Sequence, residues 1–296
     1  MINNQEKKDK KLKIILVTGG AGFIGSHLIE RLVQDENNKV ISLDNYFTGT
    51  EENHIQGAEY IKGETKDIEE HIKEMPDIVY HLGEYSRVLT SFDDVGVVWR
   101  LNILGTFSVL EFCRKNNIKI IYAGSSTKFG DDIGGKGGSP YAWSKANNTE
   151  LVSNYGKWFN MPHAITYFYN VYGGREISEG KYATLIGIFS RKHKNNESLT
   201  VISPGTQKRA FTYIDDIIDG LLLVGEKGFG DGYCIGSEKE YSILEIANLF
   251  GGEIEMSPEK KGDRKLSSID LSKMEKLGWS AKKDIKDYIE SVKKNS

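Results

Sequence analysis

Near its N-terminus the chain reads KIILVTGGAGFIGSHLIERLV over residues 13–33. Residues 13–18 form a short apolar run with β-branched side chains, which is typical of a buried strand. Gly19, Gly22 and Gly25 follow at a spacing of three, and the apolar residues after them recur with helical periodicity. Glycines at such a turn let the backbone approach a pyrophosphate at the start of the helix. The stretch therefore predicts a dinucleotide-binding unit.

A second predicted strand, residues 39–43, ends directly before Asp44 and Asn45. An acidic residue about twenty positions after the glycines suits the free hydroxyls of an adenosine ribose. A 2′-phosphate would be repelled there, so the sequence favours NAD over NADP. The alternative interpretation is a plain βαβ unit whose aspartate lies on the surface.

Predicted strands and helices alternate along the rest of the chain. Further strands are expected at 59–63, 77–82, 119–123 and 164–168, and helices at about 97–116 and from Tyr141 to Phe159. This alternation predicts an α/β fold with a doubly wound parallel sheet, in which ligands bind beyond the carboxyl ends of the strands. We expect a flexible tail (1–11), an NAD-binding domain (12–172) and a smaller C-terminal α/β substrate lobe (173–296) partly interwoven with it. Residues 180–186 should begin a helix of that lobe.

Composition limits the classes of function. The 296 residues are 39% hydrophobic and 27% charged, with a net charge of −3, so no nucleic-acid partner is indicated. We expect no apolar run long enough to span a membrane, and the lysine-rich residues 1–11 lack the apolar core of a secretory signal. A basic binding arm is the alternative interpretation of that tail. Cys113 and Cys234 are too few for a disulfide framework, no metal site is indicated, and a cytoplasmic location is expected.

Tyr141 and Lys145 lie in the segment SPYAWSK, residues 139–145. Residues four apart share one face of a helix, so both side chains can act on one substrate atom. A phenol normally loses its proton near pH ~10, but a neighbouring ammonium and a cationic cofactor favour the phenolate. A tyrosine in this setting can serve as a general base. The alternative is an ordinary amphipathic helix with a packed tyrosine and a solvated lysine.

Several segments, taken in order, resemble an extended short-chain dehydrogenase/reductase of the nucleotide-sugar epimerase/dehydratase family. The resemblance covers about residues 12–289 and implies a Rossmann sheet. It rests on TGGAGFIG (18–25), LDN (43–45), HLG (81–83), Asn102, GSSTKFG (124–130), Tyr141 with Lys145, NVYG (170–173), RAFTYIDD (209–216) and Gly262 with Asp263.

The resemblance implies a mechanism. Tyr141 would take a proton from a sugar hydroxyl while the carbon beneath gives hydride to NAD, leaving a transient 4-keto sugar. Lys145 would bind the nicotinamide ribose, and Ser125 would bind the reacting oxygen. In an epimerase the keto sugar turns over and takes the hydride back on its other face.

The resemblance also assigns binding residues and a homodimer formed through the Tyr141 helix and the helix at 97–116. The implied cofactor contacts are Gly19, Gly22, Phe23, Ile24, Gly25, Asp44, Asn45, Asp67, Ile68, Leu82, Asn102, Tyr141, Lys145 and Tyr169. The implied contacts to the nucleotide-sugar substrate are Glu84, Ser126, Asn170, Arg209, Lys260 and Ser267.

The residues after Ser125 discriminate between activities within the family. Dehydratases that resemble this chain carry Asp and Glu where Ser126 and Thr127 stand, and related decarboxylases carry a Glu. A hydroxyl cannot replace a carboxylic acid in acid–base catalysis, whereas a simple C4 epimerase needs neither acid. We therefore favour a UDP-hexose or UDP-N-acetylhexosamine 4-epimerase, with UDP implied by the resemblance alone. A 4-keto-sugar reductase, a sugar dehydrogenase and a non-catalytic NAD-binding protein are the alternatives.

Three positions depart from the family pattern. Phe129 stands where a tyrosine is usual, and Lys260 stands where an arginine commonly holds the diphosphate, which removes the bidentate geometry. Glu84 replaces a small residue near the cofactor. It is expected either to act as an extra acid, base or hydrogen-bonding group toward an unusual sugar, or to pair with Arg87 or another cation.

Overall fold

The computed structural model describes residues 12–129, 137–258 and 269–295. The predicted tail (1–11), Gly130, Lys260, the pair Gly262 and Asp263, and Ser267 lie outside the described residues. Thirteen strands occur in the described part of the chain. They are β1 (Lys13–Thr18), β2 (Asn38–Asp44), β3 (Ala58–Lys62), β4 (Ile78–His81), β5 (Lys119–Ser125), β6 (His163–Phe168), β7 (Val171–Tyr172), β8 (Leu199–Ile202), β9 (Lys208–Ala210), β10 (Thr212–Tyr213), β11 (Gly230–Ile235), β12 (Glu240–Ser242) and β13 (Ile254–Ser257).

The same residues contain ten α-helical segments. They are α1 (Phe23–Leu32), α2 (Ile68–His71), α3 (Val95–Val98), α4 (Gly105–Asn116), α5 (Pro140–Phe159), α6 (Leu185–Lys194), α7 (Ile214–Lys227), α8 (Ile243–Phe250), α9 (Ser272–Lys276) and α10 (Ile285–Lys294). A π-helical segment, Trp99–Leu104, joins α3 to α4, so residues 95–116 form one continuous helix.

The central sheet has seven strands in the order β11-β6-β5-β4-β1-β2-β3, and every neighbouring pair is parallel. The order reverses between β1 and β4, which is where ligands bind in open sheets of this kind. The predicted doubly wound parallel sheet is therefore confirmed. The six strands expected from the sequence all occur, with ends shifted by a residue or two, whereas β11 was not predicted.

Helices cover both faces of this sheet. On one face, side chains of α4 and α5 such as Val109, Phe112 and Val152 pack against the strands. On the other face, α1 and α7 contribute Leu28, Ile29 and others. Cys113 is fully buried in the first of these cores.

A smaller core lies between α6, α8 and α10, where side chains such as Phe189, Phe250 and Ile289 pack together. The helix expected from residues 180–186 begins at Leu185, where the Thr184 hydroxyl caps it by accepting from the Gly187 N–H. The chain then returns to the central sheet as β11, beyond residue 172. The domain boundary at 172/173 remains a prediction.

Helical residues Val95–Asn116 are long and apolar enough, by length and composition, to cross a membrane. The expectation that no apolar run reaches this length is therefore wrong for this helix. A single helix of this kind among the described residues is weak evidence for a membrane span, and 44% of its apolar window is buried inside the protein. The absence of a membrane partner stays a prediction.

Candidate active site

The glycine turn lies between the end of β1 and the start of α1. Gly19 has a φ of 73°, in the left-handed region, and a Cβ on Gly25 would lie 2.1 Å from the Gly19 carbonyl oxygen. Only glycines permit this packing of strand, turn and helix. The turn leaves Gly22 as the residue before the first helical residue, Phe23, so free backbone N–H groups face outward at the helix start.

Asp44 connects the end of β2 to this turn. One carboxylate oxygen accepts from the Ala21 N–H at 2.9 Å, and the other accepts from the Tyr46 N–H at 2.8 Å. Burial raises the pKa of Asp44, and these two backbone donors act against that shift. The neighbouring Asn45 accepts from the Phe47 N–H at 3.0 Å, which shapes the following loop. A glycine cradle beside a fixed carboxylate fits a dinucleotide whose adenosine ribose carries free hydroxyls.

The other predicted cofactor residues lie around the same strand ends. Phe23 and Ile24 begin α1, Ile68 is 1% exposed, and Asp67 pairs with Lys66 at 2.5 Å. The Leu82 N–H donates to Thr18 at 3.1 Å. Tyr169 is fully buried, with its hydroxyl 3.6 Å from the Cys234 sulfur. Their contacts with NAD remain predictions.

Tyr141 lies in the first turn of α5, directly opposite the end of β5. The Ser139 hydroxyl caps the helix by accepting from the Ala142 N–H at 3.0 Å, and Pro140 occupies the first helical position. The Tyr141 hydroxyl donates to Ser125 Oγ at 3.1 Å. Ser125 Oγ also accepts from the Thr127 hydroxyl at 2.9 Å. The predicted base and the predicted oxygen-binding hydroxyl are therefore brought into direct contact.

Lys145, one turn further along α5, is buried in an ion pair with Glu84. Its ammonium donates to the Glu84 carboxylate and to the Ala123 carbonyl, and the two side chains are only 6% and 3% exposed. Burial alone raises the pKa of Glu84, but Lys145 and further donors bring it below its ordinary value. Of the two interpretations of Glu84, its contacts are those of pairing with a cation. That cation is Lys145 and not Arg87.

Three more side chains hold the second oxygen of Glu84 in place. Thr106 and Asn148 donate to Oε1 at 2.7 and 2.8 Å, and the Tyr122 hydroxyl donates at 3.2 Å. Sequence patterns do not predict these partners, although Asn148 lies seven residues after Tyr141 and so shares its helix face.

A histidine continues this network toward the glycine turn. Thr18 Oγ1 accepts from the Leu82 and Gly83 N–H groups, so its own hydrogen is directed to His81 Nδ1 at 2.7 Å. Nε2 then carries the proton and donates to Thr106 at 3.0 Å. Burial lowers the pKa of His81 to about 4, so the ring is neutral near pH 7.

Asn102, in the π-helical segment, fixes the loop after β4. Its amide oxygen accepts from the Tyr85 N–H at 2.7 Å, and its nitrogen donates to the Ser144 hydroxyl at 2.9 Å. Asn102 is completely buried, so it ties this loop to α5. A direct contact with NAD stays a prediction.

The predicted substrate-binding residues come from separate segments of the chain. Asn170 is exposed and donates to the Ala210 carbonyl at 2.9 Å, which places it beside the neighbour of Arg209 in β9. Arg209 lies within β9 and shortly before β10. Ser126 is partly exposed directly after β5. Lys260 and Ser267, as noted, lie outside the described residues.

Comparison with known proteins identifies the family. The family model described as "NAD dependent epimerase/dehydratase family" matches residues 15–236. The provisionally named UDP-glucose 4-epimerase of Methanocaldococcus jannaschii is 32% identical, over 94% of this chain and 97% of the relative. UDP-glucuronic acid decarboxylase 6 of Arabidopsis thaliana is 30% identical, over 92% of this chain and 85% of the relative.

Among solved structures, a UDP-N-acetylglucosamine 4-epimerase from Methanobrevibacter ruminantium, in complex with UDP-N-acetylmuramic acid, is 27% identical and superimposes with a TM-score of 0.86. The match covers 96% of this chain and 98% of that one. Fold, glycine turn and family match agree, and we conclude that the chain belongs to the NAD dependent epimerase/dehydratase family and uses NAD as its cofactor.

Proposed function

We propose that the protein is a nucleotide-sugar 4-epimerase that inverts C4 of a UDP-hexose or UDP-N-acetylhexosamine. The observation that carries the proposal is the 3.1 Å contact between Tyr141 and Ser125 at the carboxyl end of β5, with hydroxyl residues at the two following positions. That arrangement contains a base for the sugar hydroxyl. It contains no carboxylic acid at the positions that dehydratases and decarboxylases use.

In the proposed mechanism Tyr141 takes the proton of the C4 hydroxyl and later returns it. Ser125 accepts hydrogen bonds from Tyr141 and Thr127, which leaves its own hydrogen for the reacting sugar oxygen. Lys145, one turn further along α5, would hold the nicotinamide ribose. NAD, when bound, supplies the hydride acceptor and donor for C4. The 4-keto sugar turns over between the two transfers.

A net oxidoreductase, such as a 4-keto-sugar reductase or a sugar dehydrogenase, is the second candidate because the same three residues would serve it. The two differ in the cofactor, which an epimerase regenerates in each cycle and an oxidoreductase must exchange. Tight NAD that co-purifies with active protein supports the epimerase, and strict dependence on added NAD(P)H supports the oxidoreductase.

The experiment that tests the proposal incubates purified protein with UDP- and dTDP-linked sugars and follows the products by NMR. We expect interconversion of two C4 epimers without net change in the cofactor. A product that has lost water or carbon dioxide, or one formed only with stoichiometric NAD(P)H, would contradict it.

Asp44 should make NAD bind far better than NADP. Its carboxylate is fixed by the Ala21 and Tyr46 N–H groups and cannot turn away from a 2′-phosphate. Calorimetry on cofactor-free protein should therefore show much weaker binding of NADP than of NAD. Asp44→Asn should reduce this difference in affinity between the two cofactors. Equal or tighter binding of NADP by the wild type would overturn this assignment.

Ser267 is proposed to leave room for an acetamido group at C2 of the sugar. In 4-epimerases that this chain resembles, the residue five positions after the glycine of the Gly-Asp pair limits that space, and counting from Gly262 gives Ser267. We expect turnover of both UDP-GlcNAc and UDP-glucose, and selective loss of the acetylated activity in Ser267→Tyr. Wild type that accepts only the plain hexose, or a variant with unchanged acetylated activity, would remove Ser267 from this role.

A homodimer is proposed through residues 95–116 and α5. Large apolar side chains are exposed on these helices, and Trp99 and Trp143 stack with ring centres 5.6 Å apart. Phe107, 49% exposed, belongs to the same surface. Burial of this surface in a second copy would remove it from water.

Phe107→Glu should therefore convert the dimer to a monomer, measured by analytical ultracentrifugation. Phe229→Glu is the matched control, because Phe229 is 62% exposed but follows α7 instead. A monomeric wild type, or a Phe107→Glu variant of unchanged mass, would count against this interface.

A further inference from the structure

Glu84 and Lys145 form a buried ion pair near the carboxyl ends of β4 and β5. Two of the three N–H groups of the ammonium donate to the Glu84 carboxylate and to the Ala123 carbonyl. The centre of the Tyr122 ring lies 4.6 Å from Nζ. Within the described part of the chain no third acceptor joins these two, which leaves one N–H for the nicotinamide ribose that the resemblance assigns to Lys145. Glu84 therefore fixes the place from which Lys145 meets the cofactor.

Among the described residues of this network, only these two side chains are charged. His81 is neutral near pH 7, since burial lowers its pKa to about 4. Burial also raises the pKa of Tyr122, so its hydroxyl keeps its proton. Thr106 and Asn148, which donate to Glu84, carry no charge. The carboxylate and the ammonium therefore cancel, and removal of the carboxylate alone would leave one positive charge.

The charge at Lys145 affects the two redox forms of the cofactor differently. The nicotinamide ring is a cation in NAD and is uncharged in NADH, while the rest of the two molecules is the same. An ammonium without a counterion would repel NAD and affect NADH much less, and a buried site screens this repulsion weakly. Because the Glu84 carboxylate offsets the ammonium, Lys145 can hold the ribose of NAD without this penalty.

We infer that Glu84 is a positioning residue that acts through Lys145 and favours binding of the oxidised cofactor, NAD, relative to NADH. The inference rests on the predicted contact between Lys145 and the nicotinamide ribose, and not on the sugar or on the net reaction. It suits an enzyme in which every cycle starts from oxidised cofactor, because the carboxylate keeps the resting protein loaded with NAD. A residue that only stabilised the fold would change the affinity for both forms equally.

The test measures which redox form the protein selects. Purified protein is incubated with NAD and NADH, both in excess and in equal amounts, until the bound ratio is constant, and the bound cofactor is then quantified. Glu84→Gln should raise the bound NADH-to-NAD ratio by about tenfold, the size of one interaction between separated charges in a protein. Adding Lys145→Met should return the ratio to near that of wild type, because neither charge remains. Asp44→Asn is the matched control, since it removes a carboxylate at the predicted adenosine site, where both forms are identical, and should leave the ratio unchanged.

Thermal unfolding of each variant shows which proteins are folded in the assay. If Glu84→Gln does not fold, Lys145→Met takes its place, and at about pH 8 its uncompensated carboxylate should shift the bound ratio the opposite way, toward NAD. An unchanged ratio in the folded single variant overturns the inference, and so does a double variant that shifts the ratio as far as Glu84→Gln does. The measurement needs no sugar turnover, so a failure of the epimerase proposal in the NMR experiment is a separate result.

Discussion

Tyr141→Phe should lower turnover by about 10²–10⁴, the usual contribution of a general base, and leave NAD binding intact. The ring packs with Tyr85, Val98 and Leu101, and phenylalanine keeps those contacts. The change removes only the hydroxyl that donates to Ser125. Steady-state rates on the substrate identified by NMR, together with calorimetric NAD binding, measure the two effects separately.

Tyr155→Phe is the control for this variant. It makes the same substitution on the same helix, and the lost hydroxyl donates to Glu111 of α4 at 2.9 Å. We expect near-normal turnover from it. Near-normal turnover in Tyr141→Phe as well would remove Tyr141 from the mechanism.

Local sequence patterns were enough to predict the sheet and its cofactor edge. Turn, strand and helix propensities are local properties of the chain. A short stretch of sequence is therefore enough to recognise the apolar run at residues 13–18, the glycines after it and Asp44. β11 was missed because GDGYCI carries two glycines, which weaken a strand pattern. It becomes a strand through parallel pairing with β6, which joins residues 66 or 67 positions apart.

The sequence proposes which residues form the candidate site, but it shows much less about which of their side chains contact one another. Tyr141, Lys145 and Ser125 stay predicted catalytic residues, and Tyr141 and Ser125 are in direct contact. The sequence could not show that Glu84 faces Lys145 instead of Arg87, because the loop after β4 is oriented by Asn102, seventeen residues further along. Charge pairing between distant segments depends on such packing.

The largest expected effect on stability comes from this Lys145–Glu84 pair. Lys145→Met leaves a buried carboxylate without its cation, which should reduce the free energy of unfolding by about 3–5 kcal/mol. Adding Glu84→Gln removes the stranded charge while keeping a group of similar shape toward Thr106 and Asn148. The double variant should recover most of the loss. Chemical denaturation of the four proteins in this cycle measures the coupling.

The pH dependence of stability gives an independent test. In the wild type the pKa of Glu84 is below its ordinary value, so its contribution to stability is present above about pH 4.3 and is lost as the pH falls further. In Lys145→Met burial acts unopposed by the ammonium and should raise the pKa of Glu84. Because the pKa of Glu84 would then be higher in the folded than in the unfolded state, ionisation of Glu84 would destabilise the fold. The variant should therefore lose stability, relative to wild type, as the pH rises from about 5 to 8. Glu84→Gln should abolish this difference in slope. Parallel pH profiles for wild type and Lys145→Met would mean that the two side chains are not coupled in the folded protein.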